Sequence, residues 1–198
     1  MADDHVAAKI GSVQEDTFGR LFHQAKVTFQ FVRPWLALAF RRLFEKHKVV
    51  PEHFAGWANR HELFNDMSLL MEGMRAWERN DQVKAAHVFI PQIERALRKI
   101  ADELGVPVTK AHPRVSGTSV AIGMGEILYN TKVAEALGPD ITLHFQALYA
   151  DPRGMNLRNE IAHGMMGSDS FYWHLGNLIV HSLLVLGLWK ELGAKRTN

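Results

Sequence analysis

The chain has 198 residues, of which 47% are hydrophobic and 22% charged, and it contains no cysteine. That length supports one sizeable core, and the missing thiols exclude a disulfide framework and a thiolate zinc site. A formal net charge of +2 built from scattered Lys and Arg excludes a dense polybasic tract and singles out no partner by charge alone.

The opening MADDHVAAKIGSVQEDTFG starts acidic and lacks an apolar segment, so the expectation is a chain without a signal peptide, soluble and cytoplasmic. Phe18, Leu21, Phe22, Ala25, Phe29 and Val32 then recur at three- and four-residue steps. Pro34 interrupts them before WLALAFRRLFEKHK resumes, which predicts two helices or one kinked helix. From Glu62 to Asn80 a second stripe carries Leu63, Met67, Leu70, Met71, Met74 and Trp77 on one face. The next helix starts at Asp81 as N-cap and carries Ala86, Ile90, Ile93, Leu97, Ile100 and Leu104 until Gly105 and Pro107 stop it, with a kink expected at Pro91.

Between Val106 and Gly123 the periodicity vanishes and the sequence reads as a long connecting loop. Shorter helices are predicted over Glu126 to Leu137 and Ile141 to Tyr149, and a last one over Ser170 to Leu192. The longest apolar stretch, Leu175 to Trp189, is too short to span a bilayer and carries Asn177 and His181, so no membrane partner is expected. Nothing alternates at period two. The fold class predicted is all-α, a helical bundle over residues 61–198 with residues 1–60 as an N-terminal helical extension packed on it.

One segment, GMNLRNEIAHGMM over residues 154–166, sets polar groups among apolar residues and glycine. Asp151-Pro152-Arg153-Gly154 reads as a turn, and Asn156 is placed to cap a helix from Leu157 to His163 that Gly164 and Gly167 end. At about 100° per residue, Asn159 and His163 share a face one turn apart, whereas Arg158 must reach round with its long side chain. Read as local structure only, Arg158 pairs with Glu160 or another acid, Asn159 satisfies loop carbonyls and His163 interacts with the helix end.

Arg158-Asn-Glu-Ile-Ala-His163, an Arg and a polar residue followed by a His with four residues between Arg and His, resembles the signature of the higher-eukaryote and prokaryote nucleotide-binding (HEPN) superfamily. AAHVFIPQIERALRKI at 85–100, MGEIL at 124–128 and DPRGMNLRNEIAHGM at 151–165 together resemble a bacterial branch of it, over roughly residues 60–190. The resemblance implies a HEPN-like helical bundle that forms a homodimer and cleaves RNA without a metal or cofactor. In that reading His163 moves a proton at the ribose 2′-hydroxyl or the leaving 5′-oxygen, Arg158 holds the phosphate, and Asn159 orients the imidazole or binds the phosphate. Arg153 and Asn156 are candidates for substrate binding. The superfamily also contains non-catalytic dimerisation and nucleotide-binding modules, and toxins and phage-defence proteins with an antitoxin or regulatory partner. Both readings stand as expectations for this chain, together with that of a subunit active only beside a missing partner.

Other patterns carry less. The eleven histidines form no HExxH, and His47, His53 and His61 fit no common ligand spacing. His174 and His181 share a face of the last helix, within possible approach of His163. GTSVAIGMGE at 117–126 matches neither glycine-rich phosphate motif and is expected to be a loop. Met67, Met71 and Met74 read as core or dimer interface. Trp35, Trp57, Trp77, Trp173 and Trp189 are dispersed along the chain and suggest no base-stacking platform.

Overall fold

A computed structural model describes residues 11, 12, 14–171 and 175–194. The expectations about the acidic opening, Trp173 and His174 therefore fall largely or wholly outside the described residues. Helices dominate: α1 (Gly19–His47), α2 (Pro51–Ala58), α3 (Met67–Glu78), α4 (Gln82–Glu103), α5 (Met124–Leu128), α6 (Thr131–Leu137), α7 (Pro139–Phe145), α8 (Leu157–Ala162), α9 (Leu175–Leu186) and α10 (Trp189–Ala194). They bury one apolar core to which α1 and α2 contribute Phe22, Phe29, Phe40 and Phe54.

Helix α1 runs unbroken through Pro34. The proline is exposed, on the side away from buried Phe22, Phe29 and Phe40, so the carbonyl it leaves without an amide donor faces water. The rings of Phe40, Phe54 and Trp77 meet with centroids 5.0 to 5.6 Å apart and lock α1, α2 and α3 together. Trp77 Nε1 donates to Asn177 Oδ1 at 2.8 Å, which ties that cluster to α9. Helix α4 begins as read, with the Asp81 side chain accepting from Lys84 N at 3.0 Å.

The structure departs from the sequence reading in several places, among them the stripe read from Glu62, whose helix starts at Met67 where the Asp66 side chain caps it. Residues 106–123 are not all loop: Thr109–Ala111 (β1) and Ser119–Ala121 (β2) pair antiparallel, Lys110 opposite Val120. Both strands are mostly exposed on both faces, so no apolar alternation marked them. The helix read over 126–137 splits because the Asn130 side chain accepts from Lys132 N and Val133 N and caps a new helix, α6. The helix expected from Ile141 starts at Pro139 and widens into a π-turn over Gln146–Ala150. The last helix divides after Leu186: Trp57 Nε1 donates to the Leu184 carbonyl at 3.3 Å, and Leu188 N bonds Val185 O instead.

Two half-buried imidazoles pack against this core. His144 of α7 and His181 of α9 face each other with ring centroids 5.7 Å apart, and Phe29 of α1 meets His144 edge-on at 5.1 Å. His144 Nε2 and His181 Nδ1 are buried without a hydrogen-bond partner. Burial, and then the neighbouring His181, push His144 down to about 4 from an ordinary 6.5. Burial likewise lowers His181. The unfolded chain therefore binds a proton at His144 across a window in which the folded chain does not. Stability from His144 is expected to be full above pH 6.5 and to fall by about 1.4 kcal/mol per pH unit as the pH drops toward 4, with His181 adding to the fall in the same direction. Urea unfolding at stepped pH checks this, and His144→Phe should flatten the slope.

Candidate functional site

The motif is held by two polar networks, one in the turn before α8 and one on the helix itself. In the turn, Asp151 is 2% exposed and accepts from Arg153 three times: from N at 2.9 Å and Nε at 2.8 Å on Oδ1, and from Nη2 at 2.7 Å on Oδ2. The Tyr129 hydroxyl donates to the same carboxylate. Burial alone would raise the Asp151 carboxyl, but the Arg153 and Tyr129 hydrogen bonds outweigh it and hold it below its usual range. Arg153 also reaches Asp16 at 2.5 Å and covers the Phe22 ring at 4.7 Å. Its guanidinium thus pins the turn to the start of α1.

The turn enters α8 through Asn156, a buried residue in the left-handed conformation (φ 50°, ψ 33°) that its short amide side chain tolerates. Asn156 stands at the N-cap position, yet its side chain caps no amide of the helix and instead accepts from Asn159 Nδ2 at 3.0 Å. Asn159 Oδ1 in turn accepts from Arg158 Nη1 at 3.1 Å. Arg158 Nε donates to Glu94 Oε2 of α4 at 3.0 Å, and Arg98 donates to the other oxygen of Glu94 and to the Ile122 carbonyl at 3.0 Å. One continuous chain of hydrogen bonds therefore runs from Ile122, which follows β2, across α4 to the entry of α8.

Glu94, with 9% of its side chain exposed, is the hub of that chain. Two guanidiniums on one carboxylate leave one net positive charge. That charge borders a cleft of about 430 Å³ between α4 and α8, lined by His87, Pro91, Glu94, Arg98, Arg158 and Ile161. Behind it Arg158 and Asn159 also line a cavity of about 220 Å³ against Gly123, Gly125 and Ala150. His87 stacks on Phe171 at 5.6 Å and its Nδ1 lies 2.7 Å from the Val83 carbonyl. A carbonyl only accepts, so neutral His87 carries its proton on Nδ1 and offers the Nε2 lone pair.

His163 ends α8 at its C-cap, exposed, and its side chain makes no hydrogen bond or ion pair with any described residue. Of the residues singled out from the sequence, then, Asn156, Arg158 and Asn159 form one network, Arg153 belongs to another, and His163 stands apart from both. Asn159 turns toward Arg158 and Asn156 rather than orienting the imidazole. Glu94, Arg98 and His87 went unread as site residues.

No family model, curated protein or solved structure matches this chain.

The histidines read as metal candidates are dispersed. His61 pairs with Glu191 at 3.0 Å, His53 receives Val50 N at 3.3 Å, and His181 faces His144. Among the described residues no three His, Asp or Glu side chains gather as metal ligands, and no helix is long and apolar enough to cross a membrane.

Proposed function

We propose that this chain is a metal-independent endoribonuclease in which Arg158 binds the scissile phosphate and His163 transfers the proton. The observation that carries the reading is the make-up of α8. One short helix presents an exposed imidazole without a partner among the described residues and, within the same motif, a guanidinium held rigidly at a cleft with residual positive charge. Rigidity matters because a preorganised donor loses no reorganisation energy when charge builds on the phosphorane-like transition state. His163 takes the 2′-hydroxyl proton, the 2′-oxygen attacks phosphorus, and the 5′-oxygen leaves with a proton. The products are a 2′,3′-cyclic phosphate and a 5′-hydroxyl. A second imidazole must supply the leaving-group proton: His163 of a second copy in a composite dimer site, or His87 beside Arg158 in its doubly protonated form, with a proton on Nε2.

The competing reading is a non-catalytic dimerisation or nucleotide-binding module. It is favoured by the Arg158–Glu94 ion pair, which ties the guanidinium into the fold. Digestion of a mixed cellular RNA pool in EDTA, with product ends mapped, separates the two. The parent is expected to leave cyclic-phosphate ends, and His163→Ala to cut about 10² to 10⁴-fold more slowly with its fold intact. Arg158→Lys should rescue poorly, since a point charge cannot reproduce the planar fork. Turnover by His163→Ala equal to the parent would remove His163 from the mechanism. A parent that cleaves nothing leaves the module reading standing.

A further inference from the structure

Helix α1 buries Phe22, Phe29 and Phe40, and on its opposite side carries Gln24, Phe31, Trp35, Leu38, Arg42 and Glu45 at three-, four- and seven-residue steps. Phe31 is 73% exposed and Trp35 69%, beside an open groove of about 780 Å³ that Leu38, Ala39 and Arg42 also line. A contiguous apolar stripe of this kind marks a contact surface. Charge along the helix is uneven. Glu15 and Asp16 precede it, and Arg41, Arg42, Lys46 and Lys48 crowd its C-terminal end; on the exposed face Arg20 and Glu45, the latter 3.6 Å from Arg41, break the pattern, while Lys26 lies on the flank beside Gln30 and Arg33.

We infer that a second copy of the chain covers this face, the two α1 helices packing antiparallel about a dyad near Val32 and Arg33. In that register Phe31 meets the partner's Trp35, Leu38 the partner's Thr28, and Arg42 the partner's Gln24. Glu45 meets the partner's Arg20, and the basic end faces the partner's acidic turn at Glu15. Both charge exceptions are matched twice. A parallel pair would set Arg20, Arg42 and Glu45 each against its own copy and align the helix dipoles unfavourably. A nucleic-acid backbone or anionic bilayer would bring Glu45 against its own negative charge.

The interface stands on α1 alone, but it also bears on the site, a link that rests on the ribonuclease reading. Met155 and Asn156 sit beside Lys26, Gln30 and Arg33 around a cavity of about 280 Å³, and Arg33 Nη2 lies 3.6 Å from Met155 Sδ. That is level with the crossing point. The dyad of an antiparallel pair is perpendicular to the plane of its two helices, so a feature on one flank of α1 recurs on the same side in both copies. Both motif turns therefore flank the dyad on one face of the dimer.

Sedimentation equilibrium tests the interface. The parent is expected at twice the 22.4 kDa chain mass, and Trp35→Glu should weaken association on the order of 30-fold or more, with an unchanged circular-dichroism spectrum. Arg20→Glu and Glu45→Arg should each weaken the dimer, and the two together should restore it. A monomeric parent, a dimer indifferent to Trp35→Glu, or a double variant weaker than both singles overturns the proposal. Cleavage assayed on the same samples keeps the two readings apart. A dimer that behaves as expected without cutting RNA retains the interface and removes the ribonuclease, and a monomeric Trp35→Glu that cuts at the parental rate breaks the link between them.

Discussion

Gly154→Ala is expected to lower stability by at least about 3 kcal/mol and to displace the motif turn, because the close approach is to backbone rather than to a movable side chain. A Cβ at Gly154 would lie 2.1 Å from the Ala147 carbonyl oxygen. That same carbonyl accepts from Met155 N at 2.7 Å, so it cannot swing away without breaking the bond that holds the turn against the π-turn. Only glycine lets the chain pass this close. Gly164 makes the comparison: it sits at φ 65° with nothing within 4 Å of a built Cβ, so Gly164→Ala carries only conformational strain, about 1 kcal/mol. Urea midpoints of the two variants, taken with unchanged slopes, measure the difference. Equal midpoints would show that Gly154 is not in contact with Ala147.

Sequence periodicity located the long helices because their burial is one-sided. Leu70, Met74 and Trp77 of α3, and Ile90, Ile93, Leu97 and Ile100 of α4, lie where the stripes put them. It failed where a contact distant in sequence decides the local structure. The indole of Trp57 takes a carbonyl from a helix 127 residues away, and that cannot be read from Leu184 to Leu188. Asn130 was legible in principle as a cap, but its helical surroundings masked it. Of the site, the chemistry of Arg158, Asn159 and His163 was visible in the motif, whereas their partners were not, since Arg158 is tied to a residue 64 positions earlier. One signal did exist: Glu94 stands between Ile90 and Leu97 on the apolar stripe of α4, and a carboxylate there must be paired. Trp35 looked isolated along the chain, yet α1 sets it one turn from Phe31 on the exposed face.

Glu94→Ala should have the second-largest effect, and its two consequences separate structure from chemistry. Removing the carboxylate strips two guanidiniums of their shared partner, and losing one side of a buried ion pair typically removes about 3 to 5 kcal/mol. Arg98 and Arg158 keep 29% and 32% of their side chains exposed, so water relieves part of this and about 2 kcal/mol is expected. Glu94→Gln, which still accepts one hydrogen bond, should lose roughly half as much. Because Glu94 acts through Arg158, the double variant Glu94→Ala with Arg158→Ala should lose less than the sum of the singles, by on the order of 1 kcal/mol. Strict additivity would mean that the ion pair contributes nothing. In the chemistry, Glu94→Ala raises the net charge at the cleft from one to two. Anionic ligands should bind at least as tightly as before, yet any RNA cleavage should slow by tenfold or more, because the freed guanidinium no longer waits at a fixed position. A variant that binds and cuts like the parent would show that Glu94 does not position Arg158, and the network across α4 and α8 would then serve the fold alone.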